Sequence, residues 1–377
     1  MQAAAQGRID LDGAFEEHIS LCLGCRACET ACPSGVQYGA LLETARATLE
    51  EQRAISVVEQ WVRRLTLREL LPHRERLRLI ARVLQLAQAS GLTGLAKRSG
   101  LLPPQLRTME ELLPPLSTDY PDYSRPAPAW GPRRGTVAFF IGCVQDAFLT
   151  RVNAATVRVL QRNGYEVHFP AQQTCCGAAA LHVGEEQLAQ TLARQNIAAF
   201  AATDYTAIIN NAGGCGASLK EVGHLLRDDP QAAAQADAFS KRVQDISEFL
   251  AANLHVAPRG PINARVVYAD SCHLRHAQRV VHQPRELLRR IPGVELVELS
   301  RPDLCCGSAG TYNILHAETA QQILDLKLDD IRAARPDLLV TTNTGCHMQY
   351  LHGVKQAGLK LPVLHLVELL DRAYECE

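Results

Sequence analysis

Eight of the thirteen cysteines in this chain form two sets of four, and the second set repeats the spacing of the first. The first set is Cys143, Cys175, Cys176 and Cys215, and the second is Cys272, Cys305, Cys306 and Cys346. Corresponding cysteines are 129, 130, 130 and 131 residues apart. Because this distance is nearly constant, we predict an internal duplication in which the two halves share one fold.

Each half alternates short apolar runs with helical stretches, which is typical of parallel strands joined by helical crossovers. The predicted strands lie near Val137–Gly142, Tyr165–Phe169 and Ala207–Asn211 in the first half, and near Val266–Asp270, Val294–Leu299 and Leu338–Asn343 in the second. A cysteine or cysteine pair follows each strand. Since open α/β sheets place their sites at the carboxyl ends of strands, we expect the four cysteines of each half to converge there.

A compact cysteine motif precedes the duplicated region, with the pattern Cys-x-x-Cys-x-x-Cys-x-x-x-Cys-Pro from residue 22 to residue 33. This is the ligand spacing of bacterial ferredoxins, in which cysteine thiolates bind a [4Fe-4S] cluster. A structural zinc site is the alternative, but zinc modules usually pair two Cys-x-x-Cys knuckles across a longer gap. We therefore predict that Cys22, Cys25, Cys28 and Cys32 bind a [4Fe-4S] cluster.

The role of Cys32 leaves two interpretations open. In two-cluster ferredoxins the fourth cysteine of such a run binds the other cluster, and only one run is present here. Either Cys32 completes a single-cluster site, or a second motif that should precede residue 1 is missing from this chain. We favour the second interpretation.

Composition and proline content divide the chain into five segments. The predicted segments are 1–50 for the ferredoxin-type motif, 51–113 for a helical connector, 114–135 for a proline-rich linker, and 136–257 and 258–377 for the two halves. Six prolines mark the linker, because proline lacks the N–H needed to continue regular structure. We predict a multi-domain α+β protein, with an N-terminal helical ferredoxin-like segment followed by two tandem repeated α/β units with parallel strands.

Both halves contain adjacent cysteines followed by glycine, at Cys175-Cys176-Gly177 and Cys305-Cys306-Gly307. Glycine lets the backbone approach a bulky cofactor closely. Four thiolates per half are enough for one cluster, so we predict that all eight repeated cysteines are metal ligands. The alternative is that these thiols are buried and only pack.

Two histidines, His273 and His347, directly follow cysteines of the second half, and the first half has no histidine at those positions. A histidine there can add a ligand or carry a proton, but it can also simply hydrogen-bond locally. Cys376 belongs to no set, and we predict that it is an unliganded terminal thiol.

Charge and hydropathy restrict the partners of the chain. Lys and Arg number 39 and Asp and Glu number 40, which gives a formal net charge of −1 and no single-sign field. We therefore expect no nucleic-acid partner. No apolar run reaches the roughly 18 to 20 residues of a spanning helix, and the N-terminus lacks an export signal. We expect a cytoplasmic protein, either free or peripheral at the inner face of the cell membrane.

The known nucleotide and hydrolase fingerprints are missing from the sequence, including the dinucleotide-binding glycine motif, the P-loop, the nucleophile elbow and the HExxH motif. Clusters carry single electrons, whereas oxidation of an alcohol removes two, which a flavin can accept and pass on singly. We therefore expect no catalytic residue in this chain and a partner that performs the substrate chemistry.

Several stretches resemble the iron–sulfur subunit of bacterial glycolate oxidase, and the resemblance covers nearly the whole chain. The stretches are CLGCRACETACPSGVQYG (22–39), CCGAAALH (175–182), NNAGGCGASLKEVG (210–223), CHLRHAQRV (272–280), CCGSAGTYNILH (305–316) and TGCHMQ (344–349). The duplicated halves, called CCG halves below, also resemble those of the anaerobic glycerol-3-phosphate dehydrogenase C subunit, the lactate-utilisation iron–sulfur protein and the heterodisulfide reductase B subunit.

The resemblance implies an oxidoreductase subunit that transfers electrons and does not oxidise substrate alone. It implies two N-terminal [4Fe-4S] motifs, and partner subunits that carry FAD and oxidise glycolate to glyoxylate before electrons pass towards membrane quinone. This chain opens inside the segment that usually separates the two motifs, so we expect a misassigned start at Met1 or a truncated protein. Iron–sulfur subunits for lactate or glycerol-3-phosphate oxidation share these motifs and are alternatives.

Heterodisulfide reductase provides a different alternative, a catalytic subunit that performs two-electron thiol chemistry. In that relative the CCG halves carry Cys-x-x-Cys after the pair and bind noncubane clusters through five thiolates. Ser218 and Gln349 stand where those last cysteines would be, which argues against disulfide cleavage by this chain. A third hypothesis treats the CCG halves as a docking scaffold without a cofactor.

Overall fold

Two four-stranded parallel sheets follow an N-terminal helical region in the computed structural model, which describes residues 1–53, 55–91, 94, 103–201 and 203–375. One sheet belongs to each half. The predicted α+β fold class, with tandem α/β units and parallel strands, is therefore confirmed. No helix within the described ranges is long and apolar enough to cross a membrane.

The N-terminal region is helical wherever it has regular structure within the described residues. Its helices are α1 (Gln2–Ala5), α2 (Ala14–Leu21), α3 (Ala27–Ala31), α4 (Tyr38–Gln52), α5 (Val57–Arg63), α6 (Arg74–Ala89) and α7 (Pro104–Glu111), with a π-helical segment over Arg64–Leu70. Helix α6 buries Leu77 and Ala81, which lie one turn apart and so share one face.

The connector and the proline-rich segment are fastened to the first half through one buried carboxylate. Asp146 is fully buried, and its oxygens accept hydrogen bonds from Arg78 Nε at 2.6 Å and from the hydroxyl of Tyr123 at 3.0 Å. Arg78 lies on α6 and Tyr123 lies in the proline-rich segment. These contacts hold both segments beside Cys143, which is three residues from Asp146.

Each sheet has the same strand order, with the second strand of its half at one edge. The first sheet contains β1 (Gly135–Phe139), β2 (Tyr165–His168), β3 (Ile208–Asn210) and β4 (Val243–Asp245), in the order β2-β1-β3-β4. The second contains β5 (Ala264–Tyr268), β6 (Val294–Val297), β7 (Leu338–Thr341) and β8 (Val363–His365), in the order β6-β5-β7-β8. The sequence predicted three strands in each half, so β4 and β8 were missed.

Helices connect the strands and cover both faces of the sheets. In the first half they are α8 (Val144–Phe148), α9 (Thr150–Arg162), α10 (Ala178–His182), α11 (Glu186–Phe200), α12 (Gly213–Lys220), α13 (Val222–Leu225), α14 (Ala233–Arg242) and α15 (Ile246–Asn253). In the second half they are α16 (His282–Arg289), α17 (Tyr312–Leu315), α18 (Ala317–Ala334), α19 (Thr344–Gln356) and α20 (Leu366–Glu375), and a π-helical segment (His273–Ala277) follows Cys272.

The two halves share one hydrophobic core. Alternate residues of β1, such as Val137 and Phe139, pack in the same apolar cluster as Val266 and Tyr268 of β5. Residues between them face the other way, and Ala138 packs in a core formed by the first half together with Leu67 of the connector. Because strand side chains alternate between faces, each sheet contributes one face to the shared core and the other to its own half.

The last helix of each half packs on the first long helix of the other half. Helix α20, at the end of the second half, packs on α9 of the first, and α15, at the end of the first half, packs on α16 of the second. Arg158 of α9 forms an ion pair with Asp371 of α20. The terminal helix of each half therefore covers a helix of the other half.

Candidate iron–sulfur sites

The N-terminal cysteine motif is a tight turn that follows α2. Cys22 ends α2, and Cys32 ends α3. Gly24 and Arg26 both have a left-handed backbone, with φ of 64°, which turns the chain back on itself between these helices. The amide of Gly24 consequently points at Cys22 Sγ, with N and S 3.5 Å apart. The backbone of this turn therefore provides a hydrogen-bond donor to the first thiol of the motif.

The cysteines of this motif lie in different electrostatic surroundings. Hydrogen bonds from the backbone of Val36 and Ser34 lower the pKa of the Cys32 thiol. Burial raises the pKa of the Cys25 thiol and of the Cys28 thiol. Because iron binds the thiolate form, a positively charged metal centre would offset the cost of ionising these two side chains.

The first CCG half brings its four cysteines to the carboxyl ends of its strands, as the sequence predicted. Cys143 precedes α8, the Cys175-Cys176 pair precedes α10, and Cys215 lies on α12. The thiols of Cys143 and Cys175 are 3.7 Å apart. Gly177, at φ 86°, turns the chain directly after the pair.

The second CCG half repeats this arrangement. Cys272 precedes the π-helical segment, the Cys305-Cys306 pair precedes α17, and Cys346 lies on α19. The thiols of Cys306 and Cys346 are 3.2 Å apart. The amide of Gly307 donates to Cys305 Sγ, with N and S 3.4 Å apart.

The neighbouring thiols lower the pKa of the first cysteine of each adjacent pair. Hydrogen bonds from the Cys143 and Cys176 thiols lower the pKa of Cys175, and those from the Cys272 and Cys306 thiols lower the pKa of Cys305. The same hydrogen bonds raise the pKa values of the donating thiols Cys143, Cys176, Cys272 and Cys306. Both halves therefore favour a thiolate at the same position, which suits a metal ligand.

The N-terminal motif lies against the second CCG half. The charge of Cys305 contributes to raising the pKa of Cys25, and the charge of Cys25 contributes to raising the pKa of Cys272. Thr30 Oγ1 lies 2.7 Å from His276 Nδ1 in the π-helical segment of the second half. Arg26 of the motif also forms an ion pair with Glu221 of the first half, so the motif contacts both halves, which the sequence did not predict.

The two histidines that follow cysteines differ in their contacts. His273 Nδ1 lies 3.5 Å from Cys272 Sγ, and burial lowers the pKa of His273 to about 4. His347 instead places Nε2 3.3 Å from the carbonyl oxygen of Val363 in β8. The structure therefore links His273 to its cysteine, whereas His347 contacts the backbone of the sheet.

Ser218 and Gln349, which replace cysteines of the heterodisulfide reductase pattern, are both engaged in hydrogen bonds. The Ser218 hydroxyl donates to the carbonyl oxygen of Cys176 at 3.1 Å. Gln349 Oε1 accepts a hydrogen bond from Asn313 Nδ2 at 2.8 Å. These side chains support the loops that carry the cysteine pair and α17, so their role is structural.

The cysteine sets suit a cluster in their chemistry. Within the described residues, no group of three or more Cys, His, Asp or Glu side chains closes around a single metal ion. The sets consist of thiols alone, which are the soft ligands that iron–sulfur clusters take. In addition, the hydroxyl of Tyr350 is buried beside the second set without a partner in the described part of the chain. Cys376 lies outside the described residues.

Two tyrosines beside the cysteine sets were not singled out from the sequence. The hydroxyl of Tyr38 lies 3.9 Å from Cys22 Sγ, and burial raises the pKa of Tyr38 to about 12. Tyr350 follows Cys346 by one helical turn on α19. Spacing from a predicted ligand could have identified Tyr350, whereas nothing in the pattern assigns Tyr38 to a thiol.

Comparison with known proteins gives matches in both the CCG halves and the connector. Residues 137–220 and 266–350 each match the family model described as a cysteine-rich domain of the CCG type. Residues 58–113 match the model of the glycolate oxidase iron–sulfur subunit, linker region. The second match covers most of the segment that the sequence defined only as a helical connector.

Curated relatives match almost the whole chain. A probable glycolate oxidase iron–sulfur subunit of Bacillus subtilis is 44% identical, and the alignment covers 99% of this chain and 86% of the relative. The glycolate oxidase iron–sulfur subunit of Escherichia coli is 34% identical over 96% of this chain and 83% of the relative. Among solved structures, a hypothetical protein from Helicobacter pylori has a TM-score of 0.50 at 13% identity. That likeness covers 72% of this chain and 53% of the other, and it concerns the fold alone.

Proposed function

This chain belongs to the family of glycolate oxidase iron–sulfur subunits, and on that premise we propose that it is an electron-transfer subunit of a flavin-dependent 2-hydroxy-acid dehydrogenase complex. The complex would oxidise glycolate to glyoxylate, and this subunit would pass the electrons from a partner that carries FAD towards quinone. The match of residues 58–113 to the glycolate oxidase linker model favours glycolate over lactate or glycerol-3-phosphate as the substrate of the complex.

The observation that carries the proposal is that each CCG half brings its four cysteines together at the ends of its strands, next to the N-terminal cysteine motif. Cys22, Cys25, Cys28 and Cys32 would hold a [4Fe-4S] cluster, and each CCG half would hold a further cluster through its own four cysteines. Such clusters supply reversible one-electron transfer. The charge of Cys305 acts on the pKa of Cys25 across the contact between the motif and the second half. That contact would keep the two centres close together.

The residues of this chain would control the surroundings of the clusters. Cys175, Cys176, Cys305, Cys306 and Cys346 are buried, so they would keep water away from most of the ligand sphere of the CCG halves. Cys28 is exposed and would leave the N-terminal centre open to the partner that reduces it. Electron transfer between proteins requires such an approach, because the rate falls as the centres move apart.

Iron content tests the proposal directly. Protein purified without oxygen should contain about twelve irons per chain if three cubane clusters are present, and about four if the CCG halves bear none. A colourless, iron-free protein that is properly folded would overturn the proposal. Noncubane spectra together with disulfide reductase activity in the isolated chain would instead indicate the heterodisulfide-reductase-type catalytic role.

A cysteine variant tests the role of the N-terminal centre. Cys25→Ser should abolish electron transfer from the reduced flavin partner to an artificial acceptor, while binding of that partner persists. Cys376→Ser is the matched control, because Cys376 belongs to no set, and it should transfer electrons at the rate of the unmodified protein. Unchanged transfer in Cys25→Ser would contradict the role given to this centre.

A further inference from the structure

Tyr350 carries a buried hydroxyl that lacks a hydrogen-bond partner among the described residues. Its side chain is fully buried on α19. A buried hydroxyl without a partner destabilises the folded state, so native proteins rarely retain one without a reason. A phenylalanine would fill the same space without that cost. The presence of the hydroxyl therefore points to an acceptor that only the loaded protein contains.

The surroundings of Tyr350 identify what that acceptor would be. Its side chain packs in the same core cluster as Cys306 and Cys346. Burial raises the pKa of Tyr350, and the nearby charges of Cys306, Cys346, Cys305 and Cys272 act in the same direction. The phenol thus keeps its proton, and it lies within electrostatic reach of all four thiols of the second set. The side chains of these four cysteines offer a sulfur atom as their hydrogen-bond acceptor.

The first half has no equivalent donor. Cys215 and Cys346 correspond, and the same spacing of 131 residues places Leu219 where the second half has Tyr350. Leu219 is also fully buried, so the two positions share a location and differ in chemistry. A second difference lies at the start of the helices, where Asn343 Nδ2 is 3.4 Å from Cys346 Sγ and the first half has Ala212. At these two pairs of equivalent positions, only the second half therefore carries a side-chain hydrogen-bond donor.

Hydrogen bonds to cluster sulfurs are one of the means by which a protein sets a reduction potential. The reduced cluster carries one more negative charge than the oxidised cluster. A donor stabilises the reduced form more, and it raises the potential as a consequence. A buried donor acts strongly because no water competes with it.

We propose that the Tyr350 hydroxyl donates a hydrogen bond to a sulfur of the cluster held by the second CCG half, and that this bond raises the reduction potential of that cluster above the value it would have without the hydroxyl. The inference rests on the proposed function, because it requires a cluster at Cys272, Cys305, Cys306 and Cys346. Tyr350 is thus a residue that tunes the cofactor. Its partner position in the first half, Leu219, leaves the other cluster without this contact.

The test is a redox titration of the full-length, anaerobically purified protein, followed by electron paramagnetic resonance. The signal that disappears in a Cys306→Ala variant belongs to the second half. In Tyr350→Phe this signal should remain at full intensity while its midpoint potential falls, and the other signals should keep their midpoints. After exchange into D2O, a deuteron coupled to this cluster should be visible in the unmodified protein and absent from Tyr350→Phe.

Tyr268→Phe is the matched control. Tyr268 is also fully buried in the second half, but its hydroxyl is paired with Thr342 Oγ1 at 2.8 Å. This variant should lose stability and keep the midpoint potential, whereas Tyr350→Phe should keep or gain stability in the cluster-free protein. A loaded Tyr350→Phe protein with an unchanged midpoint and an unchanged deuteron coupling would overturn the inference and leave the proposed function standing. Absence of any Cys306-dependent signal from the unmodified protein would overturn both.

Discussion

The hydroxyl of Thr30 lies 2.7 Å from Nδ1 of His276, so a residue inside the N-terminal cysteine motif is hydrogen-bonded to the second CCG half. Arg279 donates to the same hydroxyl at 3.1 Å. Because arginine is only a donor, the hydroxyl accepts from Arg279 and can give its own hydrogen to His276. Two bonds therefore fix the motif on the surface that carries the second set of cysteines.

Thr30→Val removes both hydrogen bonds with little change in side-chain shape. We expect a local loss of about 1 kcal/mol, which corresponds to roughly fivefold faster amide exchange over residues 26–32. Hydrogen exchange followed by mass spectrometry measures this effect. Thr44→Val is the control, since among the described residues that hydroxyl bonds only the Ala40 carbonyl of its own helix. Equal exchange of residues 26–32 in both variants would contradict the role of Thr30.

Two equivalent glycines should respond differently to substitution by alanine. Gly177 has φ 86° and Gly307 has φ 85°. An alanine at either position would destabilise the folded protein by about 1–2 kcal/mol, because its backbone would have to be left-handed. At residue 307 the new Cβ would also lie 2.5 Å from the carbonyl oxygen of Ala320, whereas at residue 177 its nearest neighbour is Ala189 at 3.4 Å. We expect Gly307→Ala to lower the free energy of unfolding further than Gly177→Ala.

Denaturant unfolding and iron analysis of the two glycine variants test this difference. Iron should be lost in greater amount from Gly307→Ala, because the collision moves the loop that holds the cysteine pair. Gly177→Ala serves as its matched control at the same backbone geometry. Similar losses of stability and of iron in both variants would show that the contact with Ala320 has no influence.

The exchange of terminal helices can be tested at one ion pair. Arg158 Nε lies 3.1 Å and 3.0 Å from the two carboxylate oxygens of Asp371, whose side chain is 5% exposed. Asp371→Asn should lower the free energy of unfolding by about 1.5–3 kcal/mol, the usual value for hydrogen bonds to charged groups. Urea unfolding should show one transition at a lower midpoint, because the halves share a core.

Asp329→Asn provides the control for this variant. Asp329 pairs with Arg332 on the exposed face of α18, and such surface pairs contribute little to stability. Its unfolding midpoint should match that of the unmodified protein. If Asp371→Asn instead unfolded in two separate steps, the halves would not form a single cooperative unit.

Glu43 on α4 makes stability depend on pH. Burial raises the pKa of Glu43 to about 7, the charge of Glu221 acts in the same direction, and Arg26 and Arg46 oppose it. In the unfolded chain the carboxyl ionises near its ordinary value of 4.5. Between these two values the folded protein holds a proton that the unfolded chain has lost. The stability contributed by the protonated carboxyl is therefore complete below pH 4.5, and it falls as the pH rises through 7.

Glu43→Gln removes this dependence because an amide stays neutral. The variant should gain stability relative to the unmodified protein as the pH rises from about 5 to about 8. Urea unfolding at several pH values measures the difference. Thr44→Val, at the next position of the same helix, changes no ionisable group and should show a difference that does not vary with pH. A constant difference for Glu43→Gln as well would refute the assignment.

The repeat spacing and the strand pattern were sufficient to predict the two parallel sheets, and the rule for strand ends placed each set of four cysteines correctly at one edge. The strands β4 and β8 have three residues each, as β3 does, but no cysteine of the repeat follows them, so the cysteine pattern offers no second signal for a strand there. Both lead directly into a helix, and Asp245 at the end of β4 caps α15. That capping signal was available in the sequence.

The arrangement between segments could not be predicted. Contacts such as Thr30 with His276 and Arg158 with Asp371 join residues more than 200 positions apart, and a single sequence contains no record of such pairs. An amphipathic pattern shows that a helix buries one face, but it does not show which surface receives that face. Binding of clusters by the twelve cysteines and the five segment boundaries stay predictions.

The reciprocal packing of α15 on α16 and of α20 on α9 resembles the interface between the two subunits of a symmetric dimer, but here it forms within one polypeptide. A single half made alone would lack the helix that covers its first long helix. In a dimer of that half, however, the terminal helix of each copy could cover the first long helix of the other. Joining the copies in tandem makes their encounter independent of concentration, and it allows the surroundings of the two cysteine sets to differ, as they do at Tyr350 and Leu219.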